Sequence, residues 1–444
     1  MIAYAKHMGE TMPKKHIIIL AILTILCLYT VSLTNFAFAT PDPNRVLTVN
    51  PGESIQAAIK NANEGDTIIV ENGIYHEWHI LVNKTLTIIG RIMENTIIDG
   101  NGTADVIFHV TASNVVIENF TLQNTDISFG IQGTAIRIYR ATNVKVNKVI
   151  TKNNYYGLEL RTSNFTKITR CQILNNTWGI YLHDKSSNNT FIGNTIANNS
   201  IGIHIADPAS QYNIFHHNNL INNTKQVSFI GGLNYFDNGY PSGGNYWSGY
   251  TAQDLNHGQY QNETGSDGIL DEPYANAPDK YPFAYPLAFI EIPMAGEHFQ
   301  VVASTNSTLN SYEFNPQTKS LRLSLSGVDG TVGACRITIP KRLLSCDQPN
   351  QWDIILSNEQ LSYLELEDEE NTYLYFTFAQ SSGLDIEIKG TNAVPEVSNA
   401  LILLGVLGIT SLIVVGRKFV SRRRHNHNLV FFKINYYWRF GINL

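Results

Sequence analysis

Residues 153–223 read NNYYGLELRTSNFTKITRCQILNNTWGIYLHDKSSNNTFIGNTIANNSIGIHIADPASQYNIFHHNNLINN. The pairs Asn153/Asn154, Asn175/Asn176, Asn198/Asn199 and Asn222/Asn223 recur every 22 to 24 residues, with Gly157, Gly179 and Gly202 in step. After each pair comes a short alternating segment (YYGLELRTSN, TWGIYLHDKSSN, SIGIHIADPAS), and a second short apolar segment leads to the next pair. Period-2 segments broken by Asn, Gly and Ser are strands joined by turns. An antiparallel sandwich does not require an Asn at one phase of every repeat. A parallel β-helix does: each coil lies on its predecessor, apolar side chains stack inside, and Asn both tolerates left-handed turns and hydrogen-bonds its counterpart above and below. The fold class this implies is all-β, a parallel β-helix.

Earlier coils are less regular (KTLTIIG, NTIIDGNG, NVVIENFTLQN, TAIRIYRATNVKVNKV), and the array is read from about Val46 to Leu233. Its first part, PGESIQAAIKNANEGDTIIVENGIYHE, predicts a capping helix with Ser54 as N-cap and Ile55, Ala58 and Ile59 on one face. An open solenoid end needs such a cover, because unpaired strand edges recruit other chains. From these residues the chain resembles the pectin-lyase-like superfamily, which implies a right-handed parallel β-helix, and within it the NosD-type repeat proteins found on archaeal surfaces. The resemblance spans roughly residues 46 to 290. It implies a solenoid fold and a carbohydrate-related role, with an activity that the repeat itself does not specify.

The stretch 231–287, with NYWSGY, SDGILDEPY and a final YPL, resembles the aromatic Gly/Asp-rich closing segment of many NosD-like proteins, although Gly249 and Leu270 depart from its usual pattern. Asp267, Asp271, Glu272 and Asp279 are candidate oxygen ligands for Ca²⁺, the alternative being an Asp/Gly surface turn. The reading requires no cofactor. Trp247 is a candidate for stacking on a sugar, the alternative being aromatic cover for the solenoid end. From about Ile290 to Thr391 six or seven strands are legible, with alternation at Leu321, Leu323, Leu325 and at Leu384, Ile386, Ile388, which suits a small immunoglobulin-like β-sandwich. Cys335 and Cys346 are read as either a bridge or two buried thiols, and Cys171 as core.

Both ends carry membrane signals. Lys14 and Lys15 precede an apolar run and an Ala37-Phe38-Ala39 site, so residues 1–39 are read as a signal peptide. Residues 397–415 are apolar and followed by Arg417, Lys418, Arg422, Arg423 and Arg424, a stop-transfer pattern that predicts a C-terminal transmembrane helix. The VPE motif at 394–396 resembles the sorting and anchor signals of surface proteins. The expected organisation is a signal peptide (1–39), a β-helix with N-terminal cap (40–233), an aromatic cap (234–289), a stalk sandwich (290–393), the anchor with its basic cluster (394–424) and an unassigned tail (425–444). Such a chain sits outside the cell, held in the cytoplasmic membrane. A net charge of -6, with only 15% charged residues, argues against nucleic acid as a partner. Sequons place acceptors at Asn83, Asn119, Asn164, Asn262 and Asn306, whereas those at Asn175 and Asn198 are expected on the internal ladder and bare.

If Leu158, Leu160, Ile180, Leu182, Ile203 and Ile205 point inward, their neighbours make outward ladders. One is Arg137, Glu159, Tyr181 and His204; the next is Tyr139, Arg161, His183 and Ala206, flanked by Asp184 and Asp207. Rings, guanidinium groups and carboxylates at coil spacing match the hydroxyls and carboxylates of a polysaccharide; a solvated polar face is the plain alternative. The candidate ligand-binding set is therefore Arg137, Glu159, Arg161, Tyr181, His183, His204, Asp207 and Trp247, and the candidates for catalysis are Glu159, His183 and Asp184. The resemblance also admits a lyase, hydrolase or epimerase. The epimerase pattern is split here, Tyr156-Gly157 lying one coil before His183-Asp184, so glycan binding is the favoured function.

Overall fold

The computed structural model describes residues 45–394. The signal peptide, the expected transmembrane helix and the tail lie outside the described residues, among which no helix is long and apolar enough to cross a membrane. The described chain divides into two units. One runs to Ala288 and includes Ser304–Asn306 and Ala334–Arg336; the other holds Phe289–Ala303, Ser307–Gly333 and the chain from Ile337 on.

The first unit is a parallel β-helix. A 14-stranded sheet wraps one corner: Lys145–Lys152 pairs through Lys145 with Lys167 and through Ile150 with Gln172, so its two halves serve two faces. The third face is a seven-stranded sheet built from Ile80–Val82, Val106–Val110, Thr134–Tyr139, Tyr156–Arg161, Trp178–His183, Ile201–Ile205 and Lys225–Phe229. Its register stacks Leu158 on Ile180 and Ile180 on Ile203, and all six predicted inward residues are fully buried. Each such Ile or Leu contributes about 1.5–3 kcal/mol relative to exposure. A second column continues in rings, Phe191 stacking on Phe215 at 4.5 Å and Phe215 on Phe236 at 4.9 Å.

At the corners the two residues of each Asn pair divide the work. The first (Asn153, Asn175, Asn198, Asn222) takes φ of 58°, 53°, 56° and 52° and is exposed. The second is buried: Asn154 N and Nδ2 donate to Asn176 Oδ1 at 3.1 and 3.0 Å, Asn176 repeats this on Asn199, and Asn199 on Asn223. Asn175 and Asn198 therefore lie outside, and the expectation that they sit on the internal ladder is corrected by one residue. An αL residue turns its side chain out of the coil, and the next residue, back in extended backbone, points in. Two further ladders, Asn189–Asn213–Asn234 and Asn194–Asn218–Asn245, line other corners.

Both solenoid ends are covered. Helix α1 (Ile55–Asn61) begins at Ser54, whose Oγ accepts from Ala57 N at 3.0 Å, and the Glu77 carboxylate accepts from Ile55 N and Gln56 N. Lys84 Nζ donates to the carbonyls of Ile59, Lys60 and Ala62 at the other end of the helix. The Gln56 side-chain amide accepts from Leu81 N at 2.6 Å, standing in for a further strand on the edge at Ile80–Val82. At the far end Trp247 stacks on Tyr274 at 4.2 Å. The third Asn ladder ends there on Asp279, which accepts from Asn245 N at 2.8 Å and Trp247 Nε1 at 2.7 Å.

The second unit has two five-stranded sheets rather than the six or seven strands expected. The strands beyond those read from the sequence include Thr308–Asn315, Tyr363–Glu367 and Glu359–Gln360, the last only two residues long and too short to show alternation. Leu321, Leu323 and Leu325 pair with Ile388, Ile386 and Leu384, as the alternation predicts. Cys335 and Cys346 are free thiols, and burial pushes Cys335 up to about 12. Cys171 is core.

Candidate functional site

The outer face of the seven-stranded sheet carries the predicted ladders in the predicted register. Glu159 pairs with Arg137 on one side and Tyr181 on the other, Tyr181 with His204, and Arg161 with Tyr139 and His183. Between them lies a recess of 370 Å³ lined by His109, Gln132, Arg137, Tyr139, Tyr156, Glu159, Arg161, Tyr181 and His183.

Glu159 is not the surface carboxylate its phase suggested; it is only 5% exposed. Its Oε2 accepts from Arg137 Nε at 2.6 Å and from Thr134 Oγ1 at 3.1 Å, and its Oε1 lies 3.0 Å from His183 Nε2. Burial opposes its ionisation, but the His183 hydrogen bond and the Arg137 guanidinium outweigh it and hold the carboxyl below its ordinary range. The long side chains of neighbouring coils, Arg137 and Tyr181, cover it. Alternation alone cannot reveal that cover, because a β-strand sets direction and not depth.

Around this pair lies an aromatic cluster. Tyr181 stacks on His183 at 4.4 Å and 12°, on Tyr156 at 4.9 Å and 18°, and on His204 at 5.5 Å and 12°. Trp178 meets Tyr181 and His204 edge-on. Burial lowers the pKa of His204 and of His109 and raises those of Tyr156 and Tyr181. Arg161 donates to Asp184 Oδ2 at 2.7 Å and lies over the Tyr139 ring at 5.6 Å. The Arg161 hydrogen bond pulls Asp184 below its ordinary value. Tyr156, Trp178, His109 and Thr134 were absent from the sequence-derived set. The first two had a signal, because the residue before Gly157 and Gly179 is aromatic in both coils.

Other candidates are not brought together with this face. Asp207 closes its own turn, accepting from Ala209 N, Ser210 N and Ser210 Oγ. Trp247 is 1% exposed and belongs to the core of the cap, so it is cover rather than a sugar platform. The Ca²⁺ set does not assemble. Asp279 is spent on the Asn245 ladder and Trp247, Asp271 accepts from Leu255 N and Asn256 N, and buried Asp267 accepts from Ile269 N. Among the described residues no three His, Cys, Asp or Glu converge as metal ligands.

The family model described as periplasmic copper-binding protein (NosD) matches residues 41–252. No curated protein matches. Solved structures similar to this chain include an alginate lyase from Paenibacillus sp., at 16% identity and a TM-score of 0.35, with 46% of this chain and 77% of that one covered. A pectate lyase is 14% identical with a TM-score of 0.35, covering 43% of this chain and 57% of that one. The A-module of a mannuronan C-5 epimerase from Azotobacter vinelandii is 16% identical with a TM-score of 0.31, covering 38% and 54%. The donor set does not fit copper: His183 Nε2 faces Glu159, His217 Nε2 faces the Ser242 carbonyl at 2.8 Å, and burial depresses His216 to about 3. The stacked register and the internal asparagine ladders fall on the stretch that matches the NosD family model, and the described part of that stretch, from residue 45 to 252, is a parallel β-helix similar to that family.

Proposed function

We propose that this β-helix binds a polysaccharide or an envelope glycan along the outer face of its seven-stranded sheet, in a protein held outside the cell by the C-terminal segment 397–415. The observation that carries the reading is the stack of Tyr181 with Tyr156 and His183 beside the Arg137–Glu159–His183 array, in one recess of 370 Å³. Flat rings offer a sugar its apolar face, and Arg161 at the rim offers charge-assisted donors. A recess of that size suits one or two sugar units of a longer chain. The test is a glycan array followed by calorimetry on Tyr181→Ala and Arg161→Ala. Each is expected to weaken binding by about 1–3 kcal/mol. Unchanged affinity in both would sink the proposal.

A second reading, a polysaccharide lyase, hydrolase or epimerase, is favoured by one contact. A buried ionised carboxylate 3.0 Å from His183 Nε2 orients an imidazole stacked on Tyr181, a starting point for proton transfer. The readings separate by product. A hydrolase or lyase generates new reducing or unsaturated ends and an epimerase changes the uronate composition read by NMR, each lost in His183→Ala while binding persists, whereas a binder does none of these.

A further inference from the structure

The corner where the asparagine pairs turn holds a second recess, away from the aromatic strip. It is an open trough of 990 Å³, at the upper end of the range for ligand sites. Its floor is the row Asn153, Asn175 and Asn198, one from each of three successive coils. Asn153 Nδ2 donates to Asn124 Oδ1 at 3.3 Å, but the side-chain amides of Asn175 and Asn198 have no hydrogen-bond partner among the described residues. Such pairs do form elsewhere on the solenoid, as Asn143 Nδ2 to Asn114 Oδ1 at 2.6 Å shows. Asn175 and Asn198 thus present a donor and an acceptor outward from each coil.

One wall of the trough is an insertion. Later coils pass from the Asn pair straight into the next strand, whereas here the chain leaves at Asp126 and returns at Gly133. Gly133 N donates to Asp126 O at 2.7 Å and Asp126 N to Ala104 O at 2.9 Å, so the loop is pinned at its base. A Cβ on Gly133 would come within 2.5 Å of the Ala104 carbonyl, which keeps that position glycine. The loop turns Ile127, Phe129 and Ile131 outward, with Phe129 82% exposed. Of these three Ile127 lines the trough and gives it an apolar edge; insertions in solenoids gather on binding faces, and an exposed apolar side chain at the edge of a polar trough is a surface that awaits a partner.

We propose that this trough is a second carbohydrate site, for an uncharged linear polysaccharide whose hydroxyls meet the Asn175 and Asn198 side-chain amides and whose CH face lies on Ile127. Charge selects the class. Asp99 and Asp126 are the ionisable lining groups, and no basic side chain lines the trough among the described residues, so a polyanion is repelled. The strip, with Arg137 and Arg161, has the opposite preference. The two sites lie on different parts of the same coils, and this one stands or falls separately from the strip.

The experiment is calorimetric titration of the full-length chain with cellohexaose, xylohexaose, laminarihexaose and chitohexaose, with hexagalacturonate as the acidic control. At least one neutral hexasaccharide is expected to bind. Ile127→Asp, and the double variant Asn175→Gly/Asn198→Gly, are each expected to weaken it tenfold or more, while Arg161→Ala leaves it unchanged. Glycine keeps the left-handed turn and removes only the side-chain amide; should the double variant nonetheless fail to fold by circular dichroism, Ile127→Asp decides alone. The proposal is overturned if none of the four binds at millimolar concentration, if binding survives Ile127→Asp and any folded double variant, or if Arg161→Ala alone abolishes it. Mass spectrometry finding an N-glycan on Asn175 or Asn198 would overturn it too, because the modification would fill the trough.

Discussion

Glu159 shows how one side chain ties the site to stability. Its carboxylate is buried, yet two cation-capable partners and the Thr134 hydroxyl hold it ionised. Because its folded pKa is depressed, the stability it contributes is present above its ordinary value of 4.5 and is lost as pH falls through the folded value. Glu159→Gln removes the charge and leaves Arg137 half-buried without its partner. The expected result is a loss of about 1–3 kcal/mol at pH 7 by chemical denaturation, with less of the wild type's destabilisation on acidification. A variant as stable as wild type would show that Glu159 is held by its surroundings without supporting them.

At the scale of the element, the asparagine corner makes a prediction that adjacent residues must split. Asn176 donates to the Thr151 carbonyl at 3.1 Å and accepts from Asn154 N, all within the solenoid. Asn176→Ala leaves buried polar groups unsatisfied and is expected to lose about 1–3 kcal/mol. Asn175→Gly touches neither the ladder nor the left-handed turn, and its denaturation midpoint should stay within experimental error of wild type. Equal losses at both positions would contradict the division of labour seen in the backbone angles. The Asn pairs were legible as a repeat. Which member turns in was not, because both residues are identical and only the αL angle at the first distinguishes them.

Over the whole β-helix, the ends govern pH behaviour from the opposite side. Burial pushes the Asp279 carboxyl up to about 7 from its ordinary 3.8. The folded chain then holds that proton more tightly than the unfolded chain, so the contribution is complete below about pH 3.8 and is lost as pH rises through about 7. Glu159 acts in the reverse sense at lower pH, and so do the buried His216 and His217, pushed down to about 3 and about 4, whose contribution is lost as pH falls below 6.5. Asp279→Asn removes the opposing contribution of this carboxyl, so its melting temperature should rise more steeply, or fall less, from pH 4 to 8 than that of the wild type. An unchanged slope would assign the effect to other groups. The cap also explains why its acidic residues are poor metal ligands: Asp279 terminates an amide ladder, and a Cβ on Gly244 would overlap its carboxylate.

By itself the sequence determined the periodic quantities. Coil length, strand direction, the inward set from Leu158 to Ile205, the ladder partners of Arg137, Glu159, Tyr181 and Arg161, and the helical cap at Ser54 all follow from spacing, because parallel stacking repeats every local choice at a fixed interval. Tertiary structure decided what spacing does not encode. It buried Glu159 beneath side chains of neighbouring coils, turned Trp247 and Asp279 into a cap, drew Asp207 into its own turn, and raised the 126–133 loop beside a row of outward amides. Depth, side-chain cover and the path of an insertion depend on atoms from other coils and on non-repeating loops, and those contacts have no period to read.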